Sequence, residues 1–107
     1  MNIWALNKTT EIKTLLIGLS SEFGEDKFVF DVSDKWGEAG VYIRNKDEPE
    51  LCAYVYTAGQ RDKCFGVDLE YPVKHNPVNL SQVHENIDYA QLKDVLCTHL
   101  NVFEDPF

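Results

Sequence analysis

Positive charge is what this chain has least of. Of its 107 residues only 10 are Lys or Arg, against 18 Asp or Glu, and the formal net charge is -8 with histidine neutral. Phosphate binding is driven by cationic side chains that displace counterions. The deficit therefore argues against a DNA- or RNA-binding domain, and equally against adsorption to an anionic membrane surface. Long hydrophobic runs are missing too: nothing approaches the roughly 20 consecutive apolar residues that span a bilayer. The stretch from Met1 to Lys8 has no basic region followed by a long apolar one, so no signal peptide is expected. The chain reads as soluble and cytoplasmic.

Cysteine is scarce and odd in number. Cys52, Cys64 and Cys97 cannot all pair within one chain, which favours a reducing compartment over a disulfide framework. One bridge between Cys52 and Cys64 across a hairpin stays open, but small buried thiols are the favoured reading. Zinc-type pairs are absent, since no Cys-x-x-Cys and no His-x-x-x-His occurs. Gly18, Gly24, Gly37, Gly40, Gly59 and Gly66 are isolated and form no phosphate-cradling loop. The histidines are His75 in a proline-flanked loop, His84, and His99 near a helical apolar stripe. Cys97 and His99 lie two positions apart, which on a helix keeps them off a common face and argues against a nucleophile pair. Neither a cofactor nor catalysis is expected.

What is present suffices for one small domain. Hydrophobic residues make up 44% of the chain, enough for a core and unlike a disordered tail. From Thr10 to Phe23, Ile12, Leu15, Leu16, Leu19 and Phe23 repeat at helical spacing, with Thr9 or Thr10 able to cap the start and Gly24 to close the end. The period then becomes two: Phe28, Phe30 and Val32, then Val41 and Ile43 within Gly40 to Asn45, then Leu51 to Thr57, then Phe65, Val67 and Leu69. Short polar turns separate these runs, as in an antiparallel meander. Pro72 and Pro77 bracket what reads as an irregular loop. Asp88 and Gln91 have the spacing of a capping box, Ile87 can staple to Leu92, and Leu92, Val95, Leu96, His99 and Leu100 form a second stripe. The expected fold is α+β: a four-stranded antiparallel meander with N- and C-terminal helices packed on one face, in a single domain covering residues 1–107.

Alternation also assigns the second face of that sheet. If the apolar set points at the helices, Val29, Asp31, Tyr42, Arg44, Cys52, Tyr54, Tyr56, Asp68 and Glu70 share the other side. Tyrosine and arginine are favoured at interface hot spots, and carboxylates around such rings steer a cationic partner. Tyrosine also suits strands on any face, and antiparallel sheets often leave one face wet, so plain solvent cover is the competing reading. The charge is unevenly placed: Glu22 through Glu70 holds 12 acids and 6 bases, a surplus of 6 out of the total 8. Asp31, Asp68 and Glu70 could together touch a divalent cation, although a metal-dependent nuclease would want a surface that tolerates phosphate. Trp36 sits in a turn, where it either caps the core edge or anchors a partner. Asp47, Glu48 and Glu50 crowd a hairpin turn at the rim of the same face.

The whole-chain plan, with the turn and strand running Thr57-Ala-Gly-Gln-Arg-Asp-Lys-Cys-Phe-Gly-Val-Asp-Leu-Glu-Tyr-Pro72, resembles the small acidic immunity proteins of bacterial toxin-delivery systems, particularly those of contact-dependent growth inhibition. The resemblance implies stoichiometric binding and neutralisation of a toxin domain, often a basic nuclease, inside the producing cell. It carries no universal binding residues across, so the candidate partner-binding set is the one alternation gives: Asp31, Tyr42, Arg44, Tyr54, Tyr56, Asp68 and Glu70. Two rival functions remain open. One is an acidic nucleic-acid mimic that blocks a DNA-binding protein; the other is a small enzyme or ligand-binding domain with a pocket around His75, His84 or His99.

Overall fold

The computed structural model describes residues 2–72 and 82–102. A 3-10 turn at Ile3–Ala5 precedes helix α1 (Thr10–Phe23), strand β1 (Phe28–Asp31) and a second 3-10 turn at Asp34–Trp36. Strands β2 (Gly40–Asn45), β3 (Cys52–Tyr56), β4 (Phe65–Glu70) and β5 (Gln82–Ile87) follow, and helix α2 (Tyr89–Leu100) comes last. The fold is α+β, as expected.

Both helices are bounded by the devices their sequences offer. The Thr9 hydroxyl accepts from the Ile12 N–H and starts α1; Gly24, at φ 83°, ends it with its N–H on Ser20 O. At α2 the Asp88 carboxylate accepts from the Gln91 N–H at 2.8 Å while the Gln91 side chain accepts from the Asp88 N–H at 3.0 Å. These two bonds satisfy amides that no helical carbonyl reaches. Asn101 then closes α2 in the left-handed region, at φ 56°.

The sheet is a continuous meander, β1-β2-β3-β4-β5, each strand antiparallel to the next. It has five strands rather than the expected four. The fifth, Gln82–Ile87, has the sequence Gln-Val-His-Glu-Asn-Ile and lies at the sheet's edge, where most of its residues are exposed. An edge strand needs no continuous apolar face, so apolar alternation cannot reveal it. Its period is broken as well: Asn86 has φ 54° and the register slips between Phe65 and Val67, the mark of a bulge. At the other edge β1 stops at Asp31, and Val32 lies beyond it, half-buried.

One face of the sheet carries Phe28, Val41, Ile43, Ala53, Val55, Phe65, Val67 and Leu69 into a single cluster with Ile12, Leu15, Leu16 and Leu19 of α1 and Leu92, Leu96 and Leu100 of α2. Both helices thus cover the same face. They are joined to each other through Glu22, which accepts from Tyr89 Oη at 3.0 Å and from Lys93 Nζ at 2.9 Å. Truncating any one of the fully buried leucines would cost about 2–5 kcal/mol. His99, only 8% exposed, fixes α2 to the sheet. Its Nε2 lies 2.8 Å from Cys52 O and 3.0 Å from Glu70 O. Both partners are carbonyls, so Nε2 carries the proton and donates to both. Cys52 and Glu70 are register partners on β3 and β4, and the helix therefore grips the sheet from behind at the row where their side chains project the other way. The three cysteines are free thiols. Cys52 opens β3 and Cys64 precedes β4, at opposite ends of an antiparallel pair, so no bridge joins them.

Candidate functional site

The face away from the helices is set by the register. Asp31, Tyr42, Tyr54, Asp68 and Val83 face one another in sequence across all five strands. The next row is Val29, Arg44, Cys52 and Glu70, and on the other side lie Gly40, Tyr56 and Gly66. All seven predicted residues therefore fall on one face. Each of the seven is half-buried, held by its neighbours on the face itself.

The tyrosines form a ladder. Tyr42 and Tyr54 have ring centroids 5.1 Å apart, and Tyr54 stacks on Tyr56 at 5.7 Å. Trp36 extends the ladder beyond the strands, edge-on to Tyr42 at 4.6 Å. Glycines make room for it: a Cβ at Gly40 would meet the Tyr54 ring, and one at Gly66 would meet the Tyr56 ring. The Tyr54 hydroxyl donates to Trp36 O at 3.2 Å. Buried Lys8 holds the same turn from behind, its Nζ donating to Gly37 O at 2.6 Å and Ser33 O at 3.1 Å. Sequence reasoning placed Trp36 in a turn, where no period could assign it a face.

Charge divides the face into two unlike halves. On the β1–β2 side, Arg44 lies over the Tyr42 ring with its guanidinium carbon 4.9 Å from the centroid, and its NH2 is 3.4 Å from Asp31 Oδ2. Burial pushes the Asp31 carboxyl up, but Trp36, the Ser33 N–H and Arg44 outweigh it and hold it below the ordinary aspartate value. The Trp36 indole N–H is buried and favours the charged carboxylate without completing a well-aligned hydrogen bond among the described residues. On the β4–β5 side stand Asp68, Glu70 and Glu85, and among the described residues none of them has an ion pair. Asp68 Oδ1 is buried with no hydrogen-bond partner among those residues. Burial and then Glu70 raise the Asp68 carboxyl above its usual range. The same field reaches the phenols: burial followed by Glu70 raises Tyr42, and burial followed by Glu85 and Asp68 raises Tyr56. Glu85 and exposed Val83 come from β5, the strand that apolar alternation does not show, and they widen the face.

The divalent-cation site that Asp31, Asp68 and Glu70 could have formed is not assembled. Asp31 lies three strands from Asp68, roughly 14 Å at ordinary strand spacing, with Tyr42 and Tyr54 between them. The three carboxylates cannot share one ion, and no cluster of metal-ligating side chains occurs among the described residues. Cys52 is 3% exposed, and burial, with Glu70 next, pushes its thiol up to about 11, which leaves it protonated and unreactive at neutral pH. His84 and His99 line one depression of about 310 Å3 together with Tyr71, Asp94 and Thr98. His75 lies outside the described residues. An apolar groove of about 400 Å3 opens beside α1, floored by Leu15, Phe65 and Tyr89, and contains none of the predicted site residues.

The Thr57–Pro72 stretch forms the β3–β4 turn and β4 itself, and the β5 bulge fastens that turn. Gln60 Oε1 accepts from the Asn86 N–H at 2.6 Å, and Asn86 Oδ1 accepts from the Arg61 N–H at 2.7 Å. No helix among the described residues is long and apolar enough to cross a membrane. Comparison with known proteins found no matching family model, no similar curated protein and no similar solved structure.

Proposed function

We propose that the protein is a stoichiometric inhibitor of the immunity-protein kind. It binds a basic protein domain, such as a toxin nuclease, through the open face of its sheet and covers that domain's active site, acting in the cytoplasm and catalysing nothing itself. The observation that supports this most is the combination on one face of an aromatic ladder with three carboxylates, Asp68, Glu70 and Glu85, that have no ion pair among the described residues. Asp68 is half-buried with one oxygen unpartnered among the described residues, which weakens a folded domain, and a cationic partner would neutralise it. Rigid rings beside these carboxylates supply contact area at little entropic cost.

Co-expression with a basic toxin domain drawn from a neighbouring gene tests the reading directly. Wild-type protein should protect cells and form a 1:1 complex with the toxin domain, and the double reversal Asp68→Lys, Glu70→Lys should lose protection with at least about a tenfold drop in affinity. Unchanged protection by the double variant sinks the sheet-face reading. A nucleic-acid mimic would instead compete with DNA for several unrelated DNA-binding proteins. The depression shared by His84 and His99 favours a small-ligand reading, which a folded His75, His84 and His99 triple alanine variant with full protective activity would eliminate.

A further inference from the structure

The central row across β1 to β4 reads Asp31, Tyr42, Tyr54, Asp68, an aspartate and a tyrosine on each side of the β2–β3 pair. Its first half is complete: the Arg44 guanidinium lies over Tyr42 and pairs with Asp31. Its second half has the ring and the carboxylate but no cation, and Asp68 Oδ1 is buried without a partner among the described residues. Resting on the proposed function above, we infer that this second half is a socket for an arginine side chain of the bound protein, with its guanidinium against the Tyr54 and Tyr56 rings and paired to Asp68.

The chemistry selects arginine over lysine. A guanidinium is planar, stacks on aromatic faces and meets a carboxylate through two parallel N–H donors, whereas an ammonium is a compact, strongly hydrated point charge. The socket offers a ring face and a carboxylate within one residue row, with Asp68 Oδ1 buried and Oδ2 left to meet the guanidinium. Tyr54 and Asp68 are direct cross-strand partners, which places their Cβ atoms about 4.5–5.5 Å apart. Val83, the register partner of Asp68 on β5, is 52% exposed and forms an apolar wall against which the methylene stem of an arginine can lie. Glu70 and Glu85 flank the position and provide the field that draws the cation in, while Arg44 shows on the same face the geometry such a side chain adopts.

The test is an NMR titration of 15N-labelled protein with N-acetyl-arginine amide and, separately, N-acetyl-lysine amide, probes of equal charge. Arginine amide should shift the Tyr54, Tyr56, Asp68 and Val83 amides at a concentration at least about fivefold lower than lysine amide needs. Asp68→Asn should abolish that preference, and Glu11→Gln on α1 should leave it intact. Equal responses to both amides on these residues overturn the socket while leaving the face as a cation-binding surface. Shifts confined to other parts of the molecule overturn the socket and the face together. The wild-type comparison of the two amides needs no variant to fold, and dispersed amide spectra confirm the fold of each variant used.

Discussion

Tyr56 lies over Gly66, its register partner on β4, in the space that a Cβ at Gly66 would need. Tyr54 does the same at Gly40 and ties its hydroxyl to the backbone of Trp36. The ladder therefore exists because two strand positions carry no side chain. Alanine normally suits a strand better than glycine by about 0.5–1 kcal/mol. Here Gly66→Ala should instead destabilise by about 1–3 kcal/mol, because the ring must leave its place. Urea denaturation of a double-mutant cycle with Tyr56→Ala checks this: the alanine at position 66 should cost far less once the ring is gone. Additive effects would show that the ring does not fill that space.

His99 makes a second prediction about how the face is held. Its Nε2–H serves Cys52 O and Glu70 O, and the ring is nearly fully buried. His99→Ala removes that donor and opens a cavity, and should destabilise by about 2–4 kcal/mol. His99→Gln, which keeps a donor, should recover part of the loss. Equal melting temperatures for wild type and the alanine variant would refute the clamp.

Asp31 and Asp68 sit in one row and should respond to pH with opposite sign. The folded state holds Asp31 below its ordinary value of 3.8, chiefly through contacts that outweigh burial. Its contribution is therefore present above that value and lost as pH falls through the lower folded value. Asp68 is raised by burial and then by Glu70, so its ionisation opposes folding, and stability declines as pH rises from the ordinary aspartate value through the raised one. Chemical denaturation between about pH 3 and pH 7 should show Asp31→Asn less stable than wild type at neutral pH. Asp68→Asn should be somewhat more stable there, a gain kept small because the group is partly solvated. A variant that gains stability while losing partner binding marks a residue retained for function. Loss of stability in Asp68→Asn would mean that the carboxylate has a folded-state partner.

Legibility in the sequence followed how much periodicity each element had to keep. Thr9, Gly24, Asp88 and Gln91 fixed both helices, because caps are local chemistry. Tyr42, Tyr54 and Asp68 were placed on one face because a buried opposite face leaves a strand no freedom of register. β5 was missed because its edge position imposes no such constraint, and Val83 and Glu85 were missed with it. Trp36 joins the ladder from a 3-10 turn, through a tertiary contact with Tyr42 that no local pattern encodes. The carboxylates could be assigned to the face from the sequence, but their division into a paired Asp31 and an unpaired Asp68 could not. That division depends on Arg44 reaching across β1 rather than β3.

The split between charges and rings on this face should appear as a split in binding kinetics. Asp68, Glu70 and Glu85 act at a distance, so Asp68→Lys with Glu70→Lys should slow association with the cognate basic domain by about tenfold or more at low salt and flatten its salt dependence. Tyr54 acts only in contact. Tyr54→Ala should leave the association rate nearly unchanged and speed dissociation, at a cost of about 2 kcal/mol or more for a hot-spot residue. Glu11→Lys and Glu25→Lys change the net charge by the same amount as the face reversal, but lie on α1 and in the α1–β1 turn. If the pair of control reversals slows association as much as the face pair does, net charge rather than the arrangement on the sheet governs encounter. Stopped-flow association and dissociation rates at two salt concentrations separate these cases.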